Sequence, residues 1–358
     1  MRTAAGRCAT AVCPHERFWN SIRETVDAVF DRLRPKLLEL RDCAAAIPGA
    51  PTRFRSKYAK LVDDRKALRL LRYQLEVGGI DPKNRTVLDA GCGSGIYSVL
   101  FHLLGARSVE ALDLFPENIA ALIELVGRLG LSIRPRHCDV SHTELDGESV
   151  DVVYCTEAIS HFHDWPAFVA EAARVLRPGG RIVISDWNNG ANPFARRQSY
   201  AFWRESETGP FTADDFKPGD RIPYLYRRWM ILRRRFPELT DEQVFHLGLR
   251  TAGLGGEELL AAGRHYVATG EFPKSGYRWG ASQRRPEDAQ RNEEPVDPRE
   301  VVARLQAHGV DASALPHFGL NRSPLLAPFN RAARLFAPIS LRLSRCYLVV
   351  GVKRSAAV

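Results

Sequence analysis

The sequence predicts an α/β fold built on a doubly wound, Rossmann-like sheet, and three features of residues 87–185 predict it. The first is a short apolar run that ends in Asp89 and leads into a loop with three alternate glycines, Gly91, Gly93 and Gly95. Such glycines let the backbone turn sharply and approach a ligand. The second is Asp113, which ends the next predicted strand 18 positions beyond Gly95. The third is an alternation of strands and helices, which implies parallel βαβ crossovers.

Each element of this core follows from a local pattern. Short apolar runs predict strands, and apolar residues at helical spacing predict helices. Pro178-Gly179-Gly180 is expected to end the last helix of the series. Strands are predicted at 87–89, 108–114, 132–137, 149–155 and 181–185, and helices at 96–104, 116–129 and 166–176.

The glycine loop alone leaves two ligand classes open. A dinucleotide fingerprint has the pattern Gly-x-Gly-x-x-Gly and places pyrophosphate on a helix N-terminus, whereas residues 91–95 read Gly-x-Gly-x-Gly. An NAD site is therefore one interpretation. Asp113 and Asp139 both end strands, and carboxylates complement the amine, hydroxyl and sulfonium groups of a cofactor without phosphate. Considered alone, each aspartate is equally well explained as an exposed residue at the end of a strand.

Four sequence features together resemble the class I S-adenosylmethionine-dependent methyltransferases. They are Val-Leu-Asp-Ala-Gly-Cys-Gly-Ser-Gly at 87–95, Asp113, Cys138-Asp139, and Ala-Arg-Val-Leu-Arg-Pro-Gly-Gly-Arg at 173–181. The resemblance implies a seven-stranded sheet with an antiparallel last strand, and S-adenosyl-L-methionine as the cofactor. The residues it assigns to that cofactor are Asp89, Gly91, Gly93 and Gly95 at the methionine end, Asp113 at the ribose hydroxyls with Leu114 beside it, Asp139 and Val140 at the adenine, and Thr156 and Glu157 near the sulfonium.

Methyl transfer to a hydroxyl needs an aligned acceptor and a base for its proton. His161 and His163 follow the fourth strand, and histidine suits proton transfer near neutral pH. His163-Asp164-Trp165 is similar to a triplet whose histidine is the base in plant-type O-methyltransferases, while His161 matches the histidine of a Glu-x-x-x-His pattern in quinone-type relatives. Both remain candidates, with His161 preferred. Alternatively, both histidines cap the next helix or line the pocket.

Several other chemistries lack their motifs. No Asn/Asp-Pro-Pro-aromatic sequence follows the fourth strand, which disfavours methylation of base amino groups, and no Pro-Cys nucleophile appears there. Thr156-Glu157 stands where metal-dependent O-methyltransferases carry an aspartate, although Asp186 and Asn188 have a weak likeness to their ligands. We therefore expect no metal.

Four regions are predicted along the chain. Residues 1–77 form a helical extension, with helices at 18–46 and 57–77, that covers the cofactor or binds a partner. Residues 78–189 form the cofactor-binding core. Residues 190–297 form a helical substrate lid, with helices at 193–203, 224–235, 241–249 and 256–269 and a loop at 282–297. Residues 298–358 complete the sheet with a helix to 308, strands near 314–320 and at 345–352, and an amphipathic, arginine-bearing helix at 323–343.

The 358-residue chain has an ordinary globular composition and a net charge of +9. A basic surface favours anionic partners. Arg196, Arg197 and Arg204, with Tyr200 and Glu207, are candidates for contact with an anionic acceptor, whereas the arginines of 227–235 are expected on a solvated helix face. Seven scattered cysteines and the lack of a long apolar run predict a cytoplasmic protein. The spacing of Cys8, Cys13 and His15 is only a weak signal for a metal site.

Three functional hypotheses result. The preferred one is O-methylation of a small metabolite or glycan-like acceptor, possibly an anionic one, with a histidine base. The second is methylation of RNA or another anionic polymer, which the arginine clusters favour. The third is a non-catalytic binding protein on the same fold, which the intact glycine loop and Asp113 disfavour.

Overall fold

The computed structural model describes residues 25–209, 222–273, 284–287, 289, 293–319 and 326–355. The chain divides into two compact units, Met1–His137 and Cys138–Val358. The strands of the first unit are β1 (Thr86–Ala90), β2 (Ser108–Asp113) and β3 (Ile133–His137), and those of the second are β4 (Val150–Thr156), β5 (Leu176–Trp187), β6 (Val310–His317) and β7 (Cys346–Lys353).

Strand pairing follows the order β3-β2-β1-β4-β5-β7-β6 in a seven-stranded sheet. β2 pairs in parallel with both β1 and β3, and β4 pairs in parallel with β5. β7 runs antiparallel to both β5 and β6. This arrangement confirms the predicted fold class, including the antiparallel last strand.

The helices of the first unit have clear start and stop signals. Thr25 caps α1 (Val26–Ala45) by accepting a hydrogen bond from the Ala28 N–H, and Pro116 occupies the first turn of α5 (Pro116–Leu129). Gly130, with φ 59°, ends α5 in the left-handed conformation that glycine adopts without strain. These helices are α1 (Val26–Ala45), α2 (Thr52–Asp63), α3 (Lys66–Gly78), α4 (Ile96–Leu103) and α5 (Pro116–Leu129).

Predictions for the N-terminal helices are confirmed in part. α1 covers the described part of predicted helix 18–46, and residues 18–24 lie outside the described residues. The prediction of one helix over 57–77 is wrong, because α2 and α3 are separate helices. Asp64 between them has an extended backbone (φ −122°, ψ 110°), and its carboxylate accepts the Lys66 N–H at 2.9 Å. A side chain that satisfies a free N–H in this way starts a new helix.

In the second unit, β5 is longer than predicted. The residues before Arg181 were expected only to end the preceding helix. Instead, Leu176 already pairs with Val150. The register then shifts, and the next pair is Val152 with Arg181. The preceding helix, α6 (Trp165–Val175), begins where the Asp164 carboxylate accepts the Ala167 N–H. β6 also begins earlier than predicted, because α11 (Pro298–Ala307) ends just before Gly309, whose φ is 79°.

The four helices predicted between β5 and β6 are all present. They are α7 (Pro193–Thr208), α8 (Tyr224–Arg235), α9 (Asp241–Arg250) and α10 (Gly256–Thr269). α8, α9 and α10 share an apolar cluster of their own, and at Gly263 a Cβ atom would lie 2.2 Å from the Phe236 ring. Glycine therefore lets α10 approach this cluster. Its buried members are Leu232, Phe236, Leu239, Val244, Leu247, Leu259 and Tyr266.

The single helix predicted at 323–343 is wrong. The segment contains α12 (Leu326–Arg334) and the short α13 (Ala337–Ser340), and residues 323–325 lie outside the described part. Pro338 lies in the first turn of α13. Proline has no N–H to donate, and its ring clashes with the carbonyl four residues earlier, which disfavours a continuous helix through this position.

Candidate active site

The glycine loop of the first unit is a tight turn attached to the end of β2. Gly91, Gly93 and Gly95 have φ values of 74°, 54° and 74°. Residues with side chains rarely adopt such values, so these positions require glycine. The N–H groups of Gly91 and Cys92 both donate to the Leu112 carbonyl at 2.9 Å. The space beside Gly93 is open, since a Cβ atom there would meet no atom within 4 Å.

Asp113 lies at the same end of β2 and contacts this loop directly. Its carboxylate accepts the Gly93 N–H at 2.7 Å and the Phe115 N–H at 2.9 Å. Burial raises the pKa of Asp113, and these backbone bonds oppose the rise. A carboxylate offers about four acceptor positions, so Asp113 keeps acceptor capacity for further donors such as the hydroxyls of a diol.

Asp89 ends the buried β1 strand and is itself buried. Its carboxylate accepts the Ser98 hydroxyl of α4 at 2.5 Å. Burial raises the pKa of Asp89 to about 7, and the charge of Asp113 adds to the rise, while the Ser98 hydrogen bond opposes it. A positively charged ligand group nearby would favour the ionised form.

Tyr58 of α2 is a functional candidate that sequence reasoning missed. Its buried hydroxyl donates to the Ser94 carbonyl in the glycine loop at 2.9 Å. In the sequence Tyr58 is one of the apolar positions of an amphipathic helix, and nothing there distinguishes it from a core residue.

The groups of the first unit fit a cofactor that carries a cation and a diol. Two buried carboxyl groups, Asp89 and Asp113, lie beneath and beside the loop, and residues 87–95 contain no Lys or Arg. A pyrophosphate would meet negative charge here, whereas an amine, a sulfonium or hydroxyls would be complemented. This chemistry disfavours the NAD interpretation.

The remaining predicted cofactor residues lie in the second unit. Asp139 is exposed, and its Oδ1 accepts both the N–H and the hydroxyl of Ser141. Val140 and Thr156 are buried. Glu157 is exposed and has a φ of 53°, a conformation that strains a residue with a side chain and is common at functional sites. The cofactor roles of these residues stay predictions.

Both candidate histidines are exposed. His161 ends a short 3₁₀ turn, and its N–H donates to the Ala158 carbonyl at 2.9 Å. The residue that caps the next helix is Asp164, so neither histidine has the capping role considered above.

Leu114, assigned to the cofactor by resemblance, is 46% exposed at the end of β2.

Two carboxyl groups interact electrostatically with His161. Burial raises the pKa of Asp186 and of Glu293, and the charge of His161 lowers both. Asp186 accepts the Ser160 N–H at 3.0 Å, and the Glu294 N–H donates to the Ser160 carbonyl at 2.9 Å. The turn that carries His161 is thus bonded both to the end of β5 and to the segment that carries Glu293.

The sequence carries different signals for these two acids. Asp186 follows a predicted strand and has only a weak likeness to a metal ligand. Glu293 lies in a stretch predicted to be a plain loop, 282–297, and no sequence signal connects it with His161. Much of that loop lies outside the described residues.

Two of the residues expected to reach an anionic acceptor, Glu207 and Arg196, are engaged elsewhere. Glu207 forms a buried ion pair with Arg228 of α8, and Arg228 also donates to the Gly248 carbonyl at 3.0 Å. The guanidinium group of Arg196 donates to the carbonyls of Asn189, at 3.1 Å, and of Gly190. Glu207 is therefore a structural residue that joins α7 to α8, which corrects our expectation for it. Arg228 is fully buried, so the prediction that the arginines of 227–235 lie on a solvated helix face is wrong for this residue.

An apolar cavity of about 160 Å³ opens between α7, α8 and α9, which belong to the predicted helical insertion of residues 190–297. Tyr226, Trp229 and Phe245 supply aromatic surface to it. A cavity of this composition binds apolar or aromatic groups. The other lining residues are Thr208, Pro223 and Leu225.

The described residues contain neither a metal-binding cluster nor a membrane-spanning helix. They contain no cluster of three His, Cys, Asp or Glu side chains arranged to hold a metal ion. Cys8, Cys13 and His15 lie outside the described residues. None of the described helices is both long and apolar enough to cross a membrane.

Comparison with known proteins relates the chain to methyltransferases. A family model described as a methyltransferase domain matches residues 88–184. The malonyl-[acyl-carrier protein] O-methyltransferase of Yersinia pestis is 31% identical over 205 residues, which cover 53% of this chain and 73% of that protein. The ubiquinone biosynthesis O-methyltransferase of Xanthomonas axonopodis pv. citri is 34% identical over 131 residues, or 36% of this chain. The chain spans about half the length of this second relative (54%).

Likeness to solved structures is weaker. The crystal structure of an S-adenosylmethionine-dependent methyltransferase from Mesorhizobium loti has a TM-score of 0.41 and 15% identity. The overlap covers 79% of this chain and 97% of that chain.

Proposed function

Because the chain belongs to the class I S-adenosylmethionine-dependent methyltransferases, we propose that it transfers the methyl group of S-adenosylmethionine to a hydroxyl of a small metabolite or glycan-like acceptor. Oxygen as the acceptor atom is supported by the names of the two relatives above, both O-methyltransferases. The observation that carries the proposal is the anchoring of the turn that bears His161: the Ser160 N–H donates to the buried Asp186 carboxylate at 3.0 Å, and the Glu294 N–H donates to the Ser160 carbonyl at 2.9 Å. The charge of His161 also lowers the pKa of Asp186 and of the partly buried Glu293.

The cofactor, when bound, supplies an activated methyl group and its leaving group. Asp113 has the free acceptor positions that two ribose hydroxyls require. Asp89 would hold the positively charged methionine end, since a nearby cation favours its ionised carboxylate. Tyr58 holds the glycine loop through the Ser94 carbonyl. Asp139, Val140, Thr156 and Glu157 take the roles that the family resemblance implies.

His161 acts as the general base in this proposal. Its imidazole accepts the proton of the acceptor hydroxyl as that oxygen bonds to the methyl carbon. Asp186 and Glu293 then stabilise the resulting imidazolium, because an ionised carboxylate favours a nearby positive charge. His163 has no comparable acid partner among the interactions described above, so it serves as the control residue.

The helical insertion is proposed to select the acceptor. The aromatic cavity at Tyr226, Trp229 and Phe245 supports an acceptor with an apolar part. The alternative of an anionic polymer receives less support, since Arg227, Arg228 and Arg233 pair with Glu287, Glu207 and Asp241. We also propose a cytoplasmic location, in keeping with the five free cysteines of the described residues.

The test is a labelling assay with the purified full-length protein and S-adenosylmethionine carrying a labelled methyl group. Pools of hydroxylated metabolites are screened, and the labelled atom is identified in the product. We expect labelled oxygen, and we expect His161→Gln to lower kcat by about 10²–10⁴-fold while the cofactor Kd is unchanged. His163→Gln should stay near the wild-type rate. If cofactor binds but no hydroxylated pool is labelled, the acceptor proposal fails; if no cofactor binds, the non-catalytic hypothesis replaces it.

A further inference from the structure

We propose that α2 of the N-terminal helices is part of the cofactor site, and that its Tyr58 hydroxyl sets the affinity for S-adenosylmethionine by holding the glycine loop in the conformation that binds. Tyr58 acts through the loop backbone, so it is a positioning residue. The proposal rests on the cofactor role proposed above for Gly91, Gly93 and Gly95, and it is independent of the acceptor.

The peptide that joins Ser94 to Gly95 is bonded at both of its polar groups. Its carbonyl accepts the Tyr58 hydroxyl at 2.9 Å. Its N–H donates to the Cys92 carbonyl, also at 2.9 Å. Because a peptide unit is planar, its carbonyl and its N–H turn together. A hydroxyl from α2 therefore fixes the plane of a peptide inside the glycine loop, and both lie in the first unit.

This peptide needs a partner outside the loop, because glycine does not restrict its own backbone. Gly93 and Gly95 have φ values of 54° and 74°. Glycine adopts positive and negative φ about equally well and loses more conformational freedom on folding than any other residue. A flip of the peptide between Ser94 and Gly95 would break the bond to Cys92. A loop that spends part of its time in such states binds more weakly, in proportion to the fraction that is competent.

The described bonds from β2 hold the first half of the loop. The Leu112 carbonyl accepts two loop N–H groups and the Asp113 carboxylate accepts a third, all of them from residues 91–93. These bonds do not involve the peptide that follows Ser94. Tyr58 supplies the contact that holds the second half of the loop.

The Tyr58 side chain is itself held in place. It is fully buried, and its ring packs against Phe54 with the ring centroids 4.9 Å apart. Burial raises the pKa of Tyr58 well above its ordinary value, and the neighbouring Cys92 and Asp89 raise it further. The hydroxyl therefore keeps its proton and remains a donor to the loop. Because Asp89 ends β1 just before the loop, this interaction also places Tyr58 at the base of the proposed cofactor site.

Calorimetric titration of the full-length protein with S-adenosylmethionine tests the proposal. The variant is Tyr58→Phe, which keeps the ring and removes the hydroxyl. One control, Tyr347→Phe, removes a buried hydroxyl of the second unit that has no hydrogen-bond partner among the described residues. The other, Leu61→Ala, removes buried apolar volume from α2 and leaves the Tyr58 hydroxyl in place. Hydrogen exchange of the cofactor-free proteins, measured separately over residues 91–95 and 52–63, reports on the loop and on the helix.

We expect Tyr58→Phe to raise the Kd for S-adenosylmethionine by about three- to tenfold, the effect of one lost hydrogen bond. Exchange over residues 91–95 should become about threefold faster or more, while exchange over 52–63 stays unchanged. Both controls should keep the Kd within about twofold, because neither changes a group that contacts the loop. Leu61→Ala should instead speed exchange over 52–63. Thermal unfolding checks that each variant is folded.

Three results would overturn the proposal while the wild-type protein still binds its cofactor. They are an unchanged Kd in Tyr58→Phe, a raised Kd without faster exchange in the loop, and an equal rise of the Kd in Leu61→Ala. The last result would make Tyr58 a residue that only stabilises α2. If the wild-type protein itself binds no S-adenosylmethionine, the cofactor role of the loop fails, and the role of Tyr58 fails with it.

Discussion

The Asp113 carboxylate accepts a hydrogen bond from the Gly93 N–H at 2.7 Å, across 20 residues of sequence. One acid thus both fixes the glycine loop and keeps acceptor positions for a ligand. The charge can be tested separately from the loop contact, because an amide can keep the Gly93 bond through its oxygen while it loses the negative charge and the bond from the Phe115 N–H.

Asp113→Asn should weaken S-adenosylmethionine binding more than it weakens the fold. A hydrogen bond to a charged group contributes about 1.5–3 kcal/mol, so two ribose contacts predict a loss of affinity of at least about tenfold. Calorimetric titration measures it. Glu117→Gln is the control, since this exposed acid raises the pKa of Asp113 but has no predicted cofactor contact. Unchanged affinity in Asp113→Asn would contradict the ribose role.

Asp89→Asn should make the protein more stable at high pH. Burial raises the folded-state pKa of Asp89 to about 7, so the folded protein favours the neutral carboxyl. This preference stabilises the fold fully below the unfolded-state pKa, and the stabilisation is lost as the pH rises towards 7. The side-chain amide of the variant does not ionise, so its stability does not fall in this pH range. Between about pH 5 and about pH 8 the advantage of the variant over wild type should grow by on the order of 2 kcal/mol.

Urea unfolding at several pH values measures this difference, with the exposed acid Asp146 changed to Asn as control. The same Asp89→Asn protein should bind S-adenosylmethionine more weakly, because it cannot become a carboxylate. A pH-independent difference from wild type would mean that Asp89 does not titrate in this range.

The sequence predicted the parallel core well because its signals are local. Pro116 and Gly130 delimit α5 at the predicted bounds, and Asp113 and the glycine loop are recognisable from spacing alone. The break between α2 and α3 was missed, since Asp64 fits a helical pattern and only its backbone conformation and its bond to the Lys66 N–H reveal the stop.

Long-range partners were beyond sequence reasoning. Glu207 looks like a candidate substrate contact until Arg228 of another helix is seen to pair with it. Glu293 lies 132 residues from His161 in a stretch without periodicity, and only folding brings their charges into interaction. Such pairings depend on tertiary packing, which one sequence does not encode locally.

Glu207→Gln should destabilise the protein by about 3–5 kcal/mol, because it leaves the fully buried Arg228 without its counter-charge. Replacing both residues, as in Glu207→Leu/Arg228→Met, should recover most of that loss. Urea unfolding measures both. Glu257→Gln, which breaks the exposed pair with Arg264, should cost less than about 1 kcal/mol. Unchanged stability with lost methylation would return Glu207 to the substrate site.

Glu293→Gln should lower kcat for methylation by about tenfold while the cofactor Kd stays unchanged. Burial raises the pKa of Glu293 and the charge of His161 lowers it, so the carboxylate and a protonated imidazole attract each other. An amide at position 293 carries no charge and cannot stabilise the imidazolium in this way. The methylation rate at saturating acceptor, measured with an acceptor from the labelling screen, tests this. Glu294→Gln is the matched control, because its backbone N–H makes the bond to Ser160. An equal loss of kcat in that control, or none in Glu293→Gln, would remove Glu293 from the set of residues that position the proposed base.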